Sequence, residues 1–296
     1  MGVSGGSVTG PVSGTGWRPT TEAEEAMAAA VAAGDQLAYL QAVSQAALIL
    51  PITAGAADGR EKVTWMTAEA GGEKYVVAFT SGPALPPEFR HLRRSPLFEV
   101  VRFIADLGWG LAVDPGLPVR SMLTPQAVRD LLAWEPEWAP LDFALGAAVR
   151  AEDREAYLSR LIDAELLLPL PTQEELAPEP ASEPADYWTA VRTDSAVVSR
   201  DVTDPEFPWW RAERVDGVPV ILAFTSLPYL QSELGDREWV TVGFVEIVAS
   251  WPEDGGALRL NPGGANGMEL PAEAMRAMYD AFLTAVEDKN RRRDED

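Results

Sequence analysis

Apolar residues at Leu37, Leu40, Val43 and Ala47 recur at helical spacing, and the chain then runs apolar without interruption from Leu48 to Ile52. That pattern predicts an amphipathic helix handing over to a short buried strand. The same handover recurs at Tyr157, Leu158, Leu161 and Ile162, followed by Leu166 to Leu170. Asp35 and Asp153 stand where each helix needs an N-cap. Before the first of them, Thr21-x-x-Glu24 has the form of a capping box, and Gly34 is placed to end that alanine-rich helix.

Further along, Val63 to Ala68 and Lys74 to Thr80 flank Gly71-Gly72, while Trp210 to Val215 and Val218 to Thr225 flank Asp216-Gly217. Both read as β-hairpins. Tyr75 to Phe79 and Val220 to Phe224 are apolar almost throughout, as a central strand covered on both faces is. Ser81 and Ser226 then stand as caps of short helices with Pro83 and Pro228 near the first turn. Ser95-Pro96 opens a helix over Leu97 to Leu107, matched by Val240 to Ser250. One more strand precedes each of Asp114-Pro115-Gly116 and Asn261-Pro262-Gly263, and Thr124-Pro125 or Leu270-Pro271 starts a last helix.

These segments are two copies of one unit. Tyr39 and Tyr157 are 118 positions apart, Ala78 and Ala223 (each opening AFTS) 145 apart, and Asp114 and Asn261 147 apart. The order is preserved, so duplication explains the pattern and coincidence does not. Nearly all the length difference falls between Leu170 and Trp210. Positions that keep step, Glu99 with Glu246, Val100 with Ile247, Val101 with Val248, Leu123 with Leu270 and Val128 with Met275, are mostly apolar and suit a shared core. The fold class is α+β: two tandem repeats of a small mixed or antiparallel sheet packed with helices. Copy 1 is placed at residues 21–133 and copy 2 at 142–288, joined by a semi-rigid linker at 134–141 rich in Trp, Glu and Pro. Residues 1–20, the acidic Pro-rich insert 171–186 and residues 289–296 read as disordered. The passage Asp201 to Trp210 fits none of these elements.

The helix leading into L-L-L-P-L, a tryptophan some tens of residues on, the AFTS strand and the N-P-G turn before a Leu-Pro helix start resemble the SseB family, named for enhanced serine sensitivity, in its N-terminal domain. Leu166 to Leu170, Ala223 to Ser226 and Asn261 to Gly263 carry the resemblance best. The first copy departs from it at Asp114, where the family has asparagine, and at the short Gly55 to Lys62. The resemblance implies an α+β domain without an assigned reaction, similar in scale to small α/β chaperones of secretion systems.

Composition narrows the chemistry. With no cysteine in 296 residues, disulfides, thiolate nucleophiles and cysteine metal sites are excluded. A formal net charge of −22 argues against a nucleic-acid backbone as partner, since that affinity comes from Lys and Arg, and favours either a basic partner or simple solubility. Met1 to Thr20 lacks the basic start and apolar core of a signal peptide, and no apolar run reaches spanning length, so a cytoplasmic location away from membranes is the expectation.

The lone His91 sits in Arg90-His91-Leu92-Arg93-Arg94 and reads as a surface residue in a basic patch. Neither a P-loop, a dinucleotide fingerprint nor Gly-x-Ser-x-Gly occurs, and paired carboxylates such as Glu24-Glu25, Glu174-Glu175 and Glu253-Asp254 have no distinctive spacing. No catalytic set, metal site or cofactor is therefore expected. Candidate ligand-binding positions are Thr80, Ser81, Asp114 and Gly116, repeated as Thr225, Ser226, Asn261 and Gly263, because hydroxyls and free N–H groups where a strand meets a helix can hold an anion. The same residues also serve as plain caps and turns. Trp134, Trp138, Trp209 and Trp210 lie in or beside the connectors and are candidate interface anchors, or packing between the copies. Two functions follow as expectations: a non-enzymatic adaptor or chaperone-like module, an intramolecular pseudo-dimer binding a basic protein segment; and a binder of small anions or amino-acid metabolites.

Overall fold

A computed structural model describes residues 17–58, 60–176, 200–213, 219–253 and 255–295. In chain order the elements are α1 (Glu22–Ala33), α2 (Gln36–Ser44), β1 (Ala47–Pro51), α3 (Ala54–Ala57), β2 (Thr67–Ala70), β3 (Glu73–Ala78), β4 (Leu92–Pro96), α4 (Leu97–Asp106), β5 (Gly110–Val113), β6 (Ser121–Leu123), α5 (Pro125–Leu132), α6 (Glu135–Trp138) and α7 (Pro140–Arg150). The chain continues through α8 (Arg154–Ile162), β7 (Glu165–Pro169), α9 (Gln173–Leu176), β8 (Arg211–Glu213), β9 (Pro219–Ala223), α10 (Leu227–Leu234), β10 (Trp239–Gly243), α11 (Phe244–Ala249), β11 (Ala257–Leu260), β12 (Met268–Pro271) and α12 (Ala272–Glu295). Two compact units result: one runs to Ala147 and includes Ser226–Gly235, the other takes Ala148–Thr225 and the chain from Asp236 onward.

In the first unit the Thr21 hydroxyl accepts from Glu24 N to start α1, and Gly34, at φ 67°, ends it in the left-handed region that glycine enters without strain. Asp35 caps α2 as its sequence position requires. Tyr39, Leu40 and Val43 form the buried face of α2, while Leu37 is 48% exposed. Leu37 lies two residues from Tyr39 and so nearly opposite it on the helix; it drops out of the expected stripe. β2, β3, β5 and β6 make one sheet in that order, antiparallel, parallel and antiparallel. Gly71 and Gly72, at φ 63° and 80°, supply the turn between β2 and β3. β1 pairs antiparallel with β4, and a bridge between Ile49 and Phe79 ties that pair to the end of β3. α2, α4 and α5 close the core over Val76, Ile104 and Leu111, all fully buried. Burial of side chains this size stabilises by about 1.5–3 kcal/mol each. α10 also belongs to this unit and packs on β1 and β4.

The second unit repeats the plan. β8, β9, β11 and β12 follow in the same order and with the same directions, and β7 pairs antiparallel with β10. A bridge from Leu167 to Phe224 matches that from Ile49 to Phe79. The aligned pairs Val100 and Ile247, Val101 and Val248, Leu123 and Leu270, and Val128 and Met275 are all buried. Both copies are α+β, and the sheets are mixed.

Several expectations change. Val240 to Ser250 is not one helix: β10 comes first and α11 starts at Phe244. Ser95-Pro96 likewise closes strand β4 before α4 begins. Ser81 opens no helix; its hydroxyl accepts from Ala84 N in a turn, whereas Ser226 does stand at the N-cap of α10. Within the segment expected as a semi-rigid linker, Glu135–Trp138 forms the short helix α6 and Pro140 already opens α7, with Pro136 in the first turn of α6, where a missing N–H does no harm. Ile162 is 55% exposed and Leu158 half-buried, so Tyr157 and Leu161 carry the buried face of α8. α9 occupies the start of the acidic insert, whose remainder from 177 lies outside the described residues, as do the tail 1–16 and the Asp216-Gly217 turn. Residues 17–20 belong to no helix or strand, with Trp17 against the core, and α12 stays helical through Glu295 where a frayed end was expected. Asp201 to Trp210 is a turn anchored by buried Val202 and Phe207.

Candidate functional site

β3 and β5 run parallel with Ala78 opposite Val113, so Thr80 and Asp114 leave their strands side by side. The crevice beyond the carboxyl ends of parallel strands is where ligands of α/β sheets usually bind. Here the protein fills it with its own groups. Asp114 N donates to Ala78 O at 2.9 Å, and the backbone turns at φ 47°, a left-handed conformation that Asp and Asn tolerate. The Asp114 carboxylate then accepts from Thr80 N at 2.9 Å and from the Thr80 hydroxyl at 2.6 Å. Alongside, the Ser81 hydroxyl donates to Glu24 Oε1 at 2.6 Å, and Glu24 Oε2 accepts from the N–H and hydroxyl of Thr20. Glu24 and Asp114 are both 0% exposed.

Burial pushes the Asp114 carboxyl up to about 6, against the lowering effect of the Thr80 bonds and with a smaller push from Glu24. The Tyr39 hydroxyl donates to Val119 O at 2.8 Å, and burial followed by the Asp114 charge pushes this phenol well above its ordinary range.

In the second unit the same geometry is built with amides. Asn261, at φ 40°, donates its backbone N–H to Ala223 O and accepts from Thr225 N at 3.0 Å. Its side-chain amide donates to the Thr225 hydroxyl at 2.7 Å and to Asn266 Oδ1 at 3.0 Å. The acid-to-amide exchange thus reverses the side-chain bond: Thr80 donates to Asp114, whereas Thr225 accepts from Asn261. Tyr157 donates to Asn266 O at 2.8 Å as Tyr39 does to Val119 O, 147 positions earlier. Gly116 and Gly263, at φ 97° and 72°, give the turns their geometry. Ser226 lies in the first unit with α10 and makes no side-chain capping bond, so Thr225 and Ser226 do not reproduce the Thr80-Ser81 arrangement.

Trp134 and Trp138 pack their rings 5.0 Å apart against the first unit's core, with Phe98 6.4 Å from Trp138. Beside them Arg102 forms an ion pair with the buried Glu135. Trp209 packs between Phe207 and Trp251. The Trp210 indole donates to Glu175 Oε1 at 3.0 Å, and the Arg237 guanidinium lies 4.5 Å from the ring centre. The Arg237 hydrogen bonds hold the Glu175 carboxyl down at about 2. His91 is exposed.

Glu24, Thr20, Asn266, the two tyrosines and the pair Glu175 and Arg237 were not among the candidates. The tyrosines had a signal, since they occupy the same position in both copies. Among the described residues no cluster of three or more His, Asp or Glu side chains could hold a metal ion, and no helix is long and apolar enough to cross a membrane. A shallow depression between α2 and α5, lined by Leu40, Ala127 and Trp134 among others, offers about 10 Å³, the space of about one water.

Fold and site together define a duplicated α+β domain whose repeated polar residues bind each other. The family model described as the SseB protein N-terminal domain matches residues 23–130 and again 141–277, and the chain belongs to that family as two tandem copies. No curated protein and no solved structure matches the chain.

Proposed function

We propose that this chain is a non-enzymatic protein-binding adaptor of the SseB family. The observation that carries the reading is the saturation of the duplicated strand ends: Thr80, Ser81 and Asn261 spend their polar groups on Asp114, Glu24, Thr225 and Asn266. Polar groups already paired and out of water are scaffold, because a ligand would have to break bonds worth as much as those it makes. An anion at the first site would also meet the carboxylates of Asp114 and Glu24, which disfavours the metabolite reading for that copy. The surface remains, and its net charge of −22 selects for basic partners and speeds their encounter.

Affinity capture from native lysate over a series of salt concentrations tests this. The expected result is a specific partner whose retention falls as salt rises. Recovery of no salt-sensitive partner overturns the reading.

A further inference from the structure

The basic run Arg90-His91-Leu92-Arg93-Arg94 leads into and along β4. β4 pairs with β1 on one side, and among the described residues no strand lies along the other. The direction of its backbone groups follows from its neighbours. Ile49 exchanges both of its backbone bonds with Phe79, at 2.7 and 2.9 Å, so its N–H and C=O point away from β4. Partners in an antiparallel pair alternate between bonding each other and pointing apart. Arg94, opposite Ile49, and Leu92, opposite Pro51, therefore turn their N–H and C=O to the open edge. Helix α10 packs on β4, and its polar contact there is with the Arg94 side chain, whose Nη1 reaches Gln231 O at 3.4 Å.

Side chains alternate across a strand, so Arg93 projects on one face of this edge and Arg94 on the other. Arg90, His91, Leu92 and Arg93 are exposed and Arg94 is half-buried. Acidic residues outnumber Lys and Arg by 46 to 24, yet none of Arg90, Arg93 and Arg94 enters an ion pair among the described residues. The second copy shows that the strand pair itself does not call for cations here. Its register matches, Ala47 opposite Pro96 as Glu165 is opposite Gly243, and it places Val240 and Thr241 where the first copy has Arg93 and Arg94. Val240 is buried, so Arg93 stands as an exposed charge where its counterpart gains apolar burial. The counterpart of Arg90 is Arg237, which is spent on Glu175 and Trp210.

We propose that the open edge of β4 takes up an extended acidic segment of another protein as an added strand. The N–H and C=O groups of Leu92 and Arg94 supply the ladder. Carboxylates alternating between the faces of the segment meet Arg93 on one side and Arg94 on the other, with Arg90 at the entry. In strand addition the main chain gives affinity and the side chains give selectivity. The same arginines repel a second copy of this edge, which leaves a segment of opposite charge as the occupant that fits. This contact goes beyond the adaptor reading, in which basic partners meet the acidic surface.

Three labelled peptides, titrated with the full chain and followed by fluorescence anisotropy, test it. They are an extended Glu/Thr/Val peptide, its Lys/Thr/Val counterpart, and the acidic peptide N-methylated at alternate residues so that it cannot donate along one edge. The double variant Arg93→Val, Arg94→Thr carries the residues of copy 2, with circular dichroism to check its fold. Arg129→Gln, Arg160→Gln removes the same charge from exposed positions on α5 and α8. The expected result is binding of the acidic peptide alone, weakened roughly tenfold or more by N-methylation and by the double variant, and unchanged in the charge-matched control. No binding of the acidic peptide overturns the proposal. So does equal binding of its N-methylated form, or an equal loss in control and double variant, because the chain then reads net charge and adds no strand. If the double variant loses its fold, Arg90→Gln, which lies outside β4, takes its place and should weaken the acidic peptide severalfold; unchanged affinity there overturns the proposal as well. Failure of the adaptor reading shows instead in the lysate capture, so the two outcomes are told apart.

Discussion

Replacing Asp114 by asparagine should stabilise the first unit at neutral pH. The Asp114 carboxyl sits at about 6 in the folded chain against an ordinary 3.8, the largest cause being burial. Folding therefore favours its protonated form. That contribution is fully present below pH 3.8 and is lost as pH rises through 6, so above pH 7 the folded state carries the whole cost of a buried carboxylate. The full difference is about 3 kcal/mol, of which wild type recovers about 1.3 kcal/mol on going from pH 7 to pH 5. Asparagine is neutral throughout, tolerates the left-handed backbone and can donate to Thr80 as Asn261 donates to Thr225. Urea denaturation of wild type and Asp114→Asn at pH 5, 6 and 7.5, followed by circular dichroism and fitted to the transition that moves, separates this group from all others. The variant should be the more stable protein at pH 7.5, by up to about 3 kcal/mol, with the gap shrinking by about 1.3 kcal/mol at pH 5. A variant less stable than wild type at pH 7.5, with an unaltered difference at pH 5, would refute the reasoning.

The reciprocal change, Asn261→Asp, places a charge at a fully buried site and removes the donor to Asn266; it should destabilise the second unit by about 1–3 kcal/mol at pH 7.5 and less at pH 5, read in the same denaturation series. Tyr39→Phe and Tyr157→Phe each leave a buried carbonyl, of Val119 or Asn266, without its phenol donor. Each should lower stability by about 1–2 kcal/mol, in its own unit's transition. Glu175→Gln weakens the hold on Arg237 at an exposed site, so its effect on global stability should stay below about 1 kcal/mol, while the Arg237 contact with Trp210 loosens and tryptophan emission shifts.

The duplication, the hairpins, the central strands and every Asp or Thr cap named in advance were legible, because each rests on contacts close in sequence or on a repeated pattern. Strands β4 and β10 were not. Leu92-Arg93-Arg94-Ser95-Pro96 has little apolar alternation, and it is a strand because Leu48 to Pro51 lies beside it. Glu24 was hidden for a different reason: its place in Thr21-x-x-Glu24 predicts a bond back to Thr21, whereas its carboxylate takes the N–H and hydroxyl of Thr20 and the Ser81 hydroxyl, the last 57 positions away. The tryptophans of residues 134–138 were misplaced because Pro and Glu signal a linker equally well as the first turn of a short helix. The structure joins Thr80 to Asp114 and Thr225 to Asn261, and spacing alone cannot tell a hydroxyl awaiting a ligand from one already bonded to a buried neighbour.

Helix α10 lies within the second family match yet packs on β1 and β4, where the Tyr229 hydroxyl donates to Glu99 at 3.0 Å and Arg94 reaches Gln231 O at 3.4 Å. Homology and physical integrity therefore draw different borders through this chain. A fragment ended at residue 130 on the strength of the family boundary would uncover the apolar strand β1 where α10 packs on it, and one begun at 141 would carry a helix cut off from its seat. Anyone dissecting the tandem should expect the halves to behave best when kept on a single polypeptide.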